Sequence, residues 1–392
     1  MRIKINFSFV ELMFVLCACI VAATLFSKPE IVSLLFYISF IVLLVKFIQC
    51  FNLNDRTLFL LMALLVLALS NVLINAAINN SDLSFGYLKK FLMYAATLIF
   101  LYVISLISID ERIFRSTVKI SIGIGLLFLI AYFEFDIRTL TGRLLTMNFS
   151  NPNLLAMWLF IIIVYTVVAQ FCVLSWAWHV LLVAETIALL YLVLLTESRT
   201  AIFCAAAFVL QWILLKLGVK KFYTKKSLTA FVLIFPLVFV AIYFLFINPL
   251  SEFFSFLVSE GKGFDSRYDI WEDALRWFAQ HPLIGSYYEA SEGTGEFQLH
   301  NTLLDTLCSY GAVVTVMMLV YVYRILRRII GDVKNTRQVL CLIGFFVAWM
   351  YGTGEAALLS GGLGIYIIEC SFLLLARYDD ESLFSKTRVA VK

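Results

Sequence analysis

Charge is what this sequence has least of. Only 14% of its 392 residues are Asp, Glu, Lys or Arg, where a soluble chain carries roughly a quarter. That shortage excludes the ordinary soluble classes. The three histidines are few, and no HExxH, GxSxG, phosphate-cradling glycine loop or DxD pair is present. The loop acids Glu252, Glu260, Asp265, Glu289, Glu292 and Glu296 are scattered and lack metal-ligand spacing. The chemistry is therefore expected to need no nucleotide, no metal and no other cofactor. No CxxC occurs, and the eight cysteines (17, 19, 50, 172, 204, 308, 341 and 370) all lie in or beside apolar segments. They read as small core residues rather than as a disulfide framework. The first apolar stretch, Phe7 to Phe26, has no A-x-A cleavage site and is too long for a leader, so it reads as a retained span.

What is present is apolar: 62% of the chain, with a mean hydropathy of +0.96. These residues come in blocks of about 16 to 24, the length that crosses a hydrocarbon core of roughly 30 Å. Twelve spans are predicted, at about 7–26, 31–49, 57–74, 87–107, 119–133, 153–174, 179–196, 200–217, 228–247, 301–323, 338–353 and 363–377. With both termini inside, 21 of the 30 Lys and Arg fall on the inner side, including the clusters at 216–226 and 324–337. The positive-inside rule favours that orientation. The net charge of +4 is thus sorted by membrane side, not gathered in a patch, and implies no nucleic-acid partner. The expected fold is all-α: one integral membrane domain over 1–392, with about twelve transmembrane helices and a long outer loop at 248–300.

The loop contains an amphipathic helix. Ser266 is a candidate N-cap with Asp269 three residues on. Ile270, Trp271, Ala274, Leu275 and Phe278 then share one face, and Pro282 and Gly285 stop the helix. Such a helix is expected to lie flat at the bilayer surface.

The positive charges that escape the inner side are Lys28, Lys89, Lys90, Arg138, Arg143, Arg199, Lys262, Arg267 and Arg276, five of the nine being arginines. Arg199 sits in the short turn Thr196-Glu197-Ser198-Arg199-Thr200 between two apolar spans. A charge at that depth is costly and marks a functional candidate. Its alternative is to snorkel to headgroups or pair with Glu197. Asn151-Pro152-Asn153 reads as a helix start. It is either a plain cap or an outward helix N-terminus that offers N–H groups to an anion beside Arg143. His300 opens the tenth span, followed by Asn301. A histidine there is a cap, or a base facing the arginines. His281 reads as a helix stop, His179 faces inward, and Glu355 reads as a solvated loop acid.

These pieces, in this order and on one membrane side, resemble the O-antigen polymerase and ligase superfamily, the Wzy type, over about residues 140–320. They are Gly142-Arg143, Asn151-Pro152-Asn153, Ser198-Arg199, Arg267 with Ile270-Trp271 and Ala274-Leu275, Pro282-Leu283-Ile284-Gly285, and His300-Asn301 with Leu304 and Gly311. Gly285-Ser286-Tyr287 departs from the family's usual Gly-x-Gly. The first 130 residues carry no matching motif.

The resemblance implies a metal-independent, inverting glycosyltransferase in the bacterial plasma (inner) membrane. Its donor would be a glycan on undecaprenyl diphosphate. Arg199 and Arg267, with Arg143 as a weaker third, would clamp the diphosphate, because guanidinium groups bind phosphate oxygens bidentately and stay charged. His300 would be the general base. Asn153, Asn301 and Arg276 would be weaker substrate contacts. The acceptor decides between a polymerase, which extends a second lipid-linked unit into O-antigen or capsule, and a ligase, which transfers the glycan to lipid A core. A chain-length regulator is implied only for a polymerase. The rival class is a twelve-span transporter or flippase. It is disfavoured by the lack of similarity between halves and by sparse intramembrane charge.

Overall fold

The computed structural model describes residues 3–4, 9–78, 85–108, 111–134, 140–141, 144–149, 151–170, 175–217, 268–285, 299, 301–329 and 336–352, with some helical residues between 227 and 241. The helices are α1 (Phe9–Leu25), α2 (Pro29–Gln49), α3 (Arg56–Ile78), α4 (Phe85–Leu106), α5 (Glu111–Phe133), α6 (Pro152–Gln170), α7 (Trp176–Leu195), α8 (Arg199–Lys216), α9 (Tyr268–Gln280), α10 (Thr302–Ile329) and α11 (Thr336–Tyr351). The only extended pieces among the described residues are two-residue pairings. Ile3–Lys4 runs parallel to Ile107–Ser108, and Leu140–Thr141 runs antiparallel to Leu144–Leu145.

Helices α2, α3, α5, α6, α7 and α10 are long and apolar enough to cross a membrane, and α1, α4, α8 and α11 are shorter apolar helices. The protein is an all-α, multi-pass membrane protein. These helices coincide with ten of the twelve predicted spans. The span expected at 228–247, in large part, and that at 363–377 lie outside the described residues.

Helix α6 is uncharged and apolar on every face, so it needs cover all round. It is buried from Leu155 to Ala169, with α5, α7, α8 and α11 packed about it. Its Thr166 hydroxyl donates to the Ile163 carbonyl and accepts from Thr186, so the polar group inside the bundle is satisfied. Helix α2 is the opposite case. Leu34, Ile41 and Ile48 stand exposed along it, as a lipid-facing helix requires.

Polar contacts at helix ends show how the helices alternate. At one end, Asp55 just before α3 accepts both guanidinium nitrogens of Arg328 near the end of α10, at 2.9 and 3.0 Å. It also accepts the Thr57 N–H and the hydroxyl of Tyr102 in α4. Burial pushes the Asp55 carboxyl up, but the Arg328 hydrogen bonds, with Thr57 and Tyr102, outweigh it and hold it at about 2. At the other end, the last turn of α3 meets the turn after α9 through Asn75, and the first residues of α4 meet the start of α10 through Lys90. The third, fourth and tenth predicted spans therefore run as the up-and-down order requires. The first end is the predicted inner one and the second the predicted outer one.

One expectation is corrected. Helix α9 does not present its apolar face to lipid. Trp271 is 1% exposed and Ala274 fully buried, packed on Leu299, Leu304 and Cys308 of the α10 region. Trp271 Nε1 donates to the Leu299 carbonyl at 2.7 Å. In place of a bilayer surface, this face meets a protein groove whose Leu299 carbonyl accepts the indole N–H.

Candidate functional site

The turn from α7 into α8 is built to reverse the chain in three residues. Thr196 closes α7, its hydroxyl donating to the Val193 carbonyl and accepting the Ser198 N–H. Glu197 takes a left-handed conformation at φ 50°, and Ser198 follows as the extended N-cap of α8. The Ser198 carbonyl accepts the Ile202 N–H at 2.9 Å, but its hydroxyl makes no capping bond. Serine at this position normally satisfies one of the helix's orphan N–H groups with its oxygen. Here Ser198 is 2% exposed and its Oγ has no partner among the described residues. Arg199, half-buried, is the first residue of the helix. A guanidinium, an idle buried hydroxyl and the positive end of an 18-residue helix dipole thus share one corner.

Two further helices begin at the same end. Asn151 caps α6, its Oδ1 accepting the Asn153 N–H at 2.8 Å and its carbonyl the Leu154 N–H at 3.0 Å. Asn301 caps α10, its Oδ1 accepting the Leu304 N–H at 3.0 Å. The end of α11 ties the two starts together. Tyr351 donates its hydroxyl to the Asn153 carbonyl at 2.9 Å, and the next residue, Gly352, accepts the Thr302 N–H at 2.7 Å. Helix α8 packs on both α6 and α11. Asn153, Arg199 and Asn301, far apart in sequence, therefore stand at helix starts on one end of one bundle. The Asn153 and Asn301 backbones are used structurally, and the Asn301 side chain is fully buried as a cap.

The segment Pro282-Leu283-Ile284-Gly285 docks into a break in α10. Gly311 has φ 84° and ψ 170°, outside helical geometry, and Gly285 has φ 76°. Each glycine is where the other segment's backbone passes. A Cβ on Gly285 would lie 2.6 Å from the Cys308 carbonyl oxygen, and one on Gly311 would meet the Leu283 carbonyl. The groups freed by the break find partners. Ala312 N–H donates to the Pro282 carbonyl at 2.8 Å, and the Tyr310 carbonyl accepts Asn71 Nδ2 at 2.7 Å. Asn75 Nδ2 donates to the Ile284 carbonyl at 3.1 Å. Helix α9 is thereby anchored at its C-terminal side by this turn and at its N-terminal side by Trp271.

Sequence reasoning missed Asn71, Asn75, Asp305 and the role of Lys90. Lys90 Nζ lies 2.7 Å from Asp305 Oδ1 and donates also to Ser309 Oγ at 3.2 Å. The only available signal was charge: Lys90 is one of the nine cations on the predicted outer side, and Asp305 is an acid in an apolar span.

Arg276 lies on the exposed face of α9, 66% exposed, and pairs with Glu272 and Asp273 of its own helix. His300, Arg267 and Arg143 lie outside the described residues, as does Ser266. The neighbours of His300, Leu299 and Asn301, are both buried. Among the described residues no group of three His, Cys, Asp or Glu side chains is placed to hold a metal ion.

No curated protein matches the sequence. Residues 184–319 match the Wzy_C family model, described as O-antigen ligase, a stretch that runs from α7 through α9 into α10. The match takes in Arg199, the turn at 282–285, Asn301 and Gly311, covers about a third of the chain, and supports its likeness to the O-antigen polymerase and ligase superfamily.

Proposed function

We propose that the protein is a membrane glycosyltransferase that joins undecaprenyl diphosphate-linked oligosaccharide repeat units into a surface polysaccharide, O-antigen or capsule, at the outer face of a bacterial plasma membrane. The observation that carries this reading is the start of α8. There Arg199, the buried Ser198 hydroxyl without a partner among the described residues and a helix N-terminus converge at the turn between two apolar helices, which a span of that length would hold near the headgroups. A lipid diphosphate brings its charge to that level.

In the proposed reaction the acceptor sugar's hydroxyl oxygen attacks the anomeric carbon of the donor glycan. The bond from that carbon to the diphosphate oxygen breaks, and undecaprenyl diphosphate leaves with the electron pair. His300 takes the hydroxyl proton. Attack from the face opposite the leaving group inverts the anomeric configuration. Negative charge grows on the diphosphate as the bond breaks. Arg199, Arg267 and Arg143 stabilise that charge more in the transition state than in the ground state. Asn153, Asn301 and Arg276 are the outlying contacts. A chain-length regulator is the partner this activity calls for.

The family model's description as O-antigen ligase favours a second reading, transfer of the glycan from the same donor to lipid A core. Purified protein with a synthetic undecaprenyl diphosphate-linked repeat unit as sole substrate separates the two. A ladder of longer lipid-linked glycans, lost in His300→Ala and Arg199→Ala, is the expected result. Transfer only after lipid A core is added makes the protein a ligase. No transfer under either condition refutes both and returns the transporter to consideration.

A further inference from the structure

Lys90 and Asp305 form an ion pair between two apolar helices, their side chains 10% and 6% exposed. Asp305 lies in the first turn of α10, and Ser309, the second acceptor of the Lys90 ammonium, lies one turn further on. One ammonium group thus grips two successive turns of α10 from α4, which fixes both the rotation of α10 about its axis and its depth. The Asn301 cap and the α11 contact through Thr302 lie within that same stretch.

Asp305 alone has a bland explanation, since an acid in a first turn complements the helix dipole. Lys90 does not. A buried ion pair holds helices together no better than apolar residues of similar volume, because desolvation offsets the attraction. Inside a membrane, ionisable side chains are retained where function requires them. Lys90 is also outside the family-matched stretch of 184–319. The pair is therefore, with the Asn71 and Asn75 hydrogen bonds from α3, one of the links by which the unmatched N-terminal half holds the matched stretch, and the one that acts at the first turn of α10.

We propose that Lys90 and Asp305 are positioning residues for the transfer reaction, holding the first turn of α10, and the residues leading into it, in register with the anion site at the start of α8. The proposal rests on the glycosyltransferase reading above. It concerns alignment of the reacting groups, so it predicts a loss in kcat rather than in donor affinity.

The test uses the full chain in lipid nanodiscs with the synthetic lipid-linked repeat unit, adding lipid A core if no ladder forms. Single variants at either position strand a buried charge and are compared only for folding. The decisive variant is the double Lys90→Met/Asp305→Leu, which removes both charges at nearly constant volume. Its thermal midpoint is expected to stay near that of the wild type. Its kcat is expected to fall about 100-fold, the loss that a displacement of about 1 Å incurs. KM is expected to hold within about twofold, since the donor's charge is met at α8. Ser309→Ala, which spares the pair and loosens only the second turn, is expected to show a smaller fall in kcat at unchanged KM and stability.

A double variant that folds with wild-type kcat overturns the proposal and leaves the pair a structural staple. So does a rise in KM with kcat intact. Should the double variant fail to fold, wild-type kcat in Ser309→Ala overturns it instead. A wild type that transfers nothing to either acceptor overturns the proposal together with the glycosyltransferase reading, which separates the two failures.

Discussion

Substituting Gly285 by alanine tests whether α9 is locked onto α10 or merely rests there. The residue has φ 76°, a conformation that costs an L-residue roughly 1–2 kcal/mol. A Cβ there would lie 2.6 Å from the Cys308 oxygen, 2.8 Å from the Ser309 carbonyl carbon and 2.9 Å from the Gly311 nitrogen. All three are backbone atoms of α10, so no side chain can swing aside. Forcing an extra methyl group into such a site costs about 1–3 kcal/mol. The expected destabilisation is therefore about 2–5 kcal/mol. Part of it is relieved if the turn lifts away from α10. Thermal unfolding in detergent measures the loss, and hydrogen exchange over Tyr268–Gln280 shows whether α9 loosens first. Gly311→Ala strikes the same contact from the other side. The double variant should therefore cost less than the sum of the singles, by about 0.5–3 kcal/mol, as expected for residues in direct contact. The interlocking-glycine account is refuted if Gly285→Ala stays within about 0.5 kcal/mol of the wild type with α9 protection unchanged.

Three further outcomes are expected. Arg199→Lys keeps the charge but loses the planar fork, so kcat/KM for transfer should fall nearly as far as in Arg199→Ala, about 100-fold or more; full activity with lysine would mean that a point charge suffices. Trp271→Phe leaves the buried Leu299 carbonyl without its donor, which should cost about 1–3 kcal/mol in the unfolding midpoint, whereas an unchanged midpoint would mean that water replaces the indole. Asp55 is held at about 2, below its unfolded value of about 3.9. Its contribution to stability is therefore complete above about pH 4 and is lost as pH falls through about 2. Unfolding measured across that window should show a decline that is smaller in Asp55→Asn, and equal declines in both proteins would sink the assignment.

Much of the fold was legible because the membrane restricts the options. An uncharged run such as Pro152–Gln170 can only be a helix, and the sorting of Lys and Arg decides which ends lie together. The contacts of Asp55 with Arg328 and of Lys90 with Asp305 agree with that sorting, one pair at each end. The placement of α9 was not legible. Its pattern of Ile270, Trp271, Ala274, Leu275 and Phe278 says that one face is apolar, but lipid and protein satisfy an apolar face equally. What distinguishes them is the carbonyl of Leu299 waiting for the indole N–H, 28 residues away in sequence.

The candidate site divides along the same line. Arg199 stood out as a candidate because a guanidinium beside a three-residue turn between two apolar helices has nowhere inexpensive to go. Asn71 and Asn75 could not, since an asparagine inside an apolar helix announces an unsatisfied partner without naming it. Their partners are the carbonyl of Tyr310, freed because α10 breaks at Gly311, and that of Ile284, in the turn that docks into the break. That break in turn is tolerated because Pro282 supplies an acceptor for the Ala312 N–H. Each piece is weak in the sequence because its physical reason lies on another helix. Gly285, Gly311 and the two asparagines require one another, and together they determine where the end of α9 meets the break in α10.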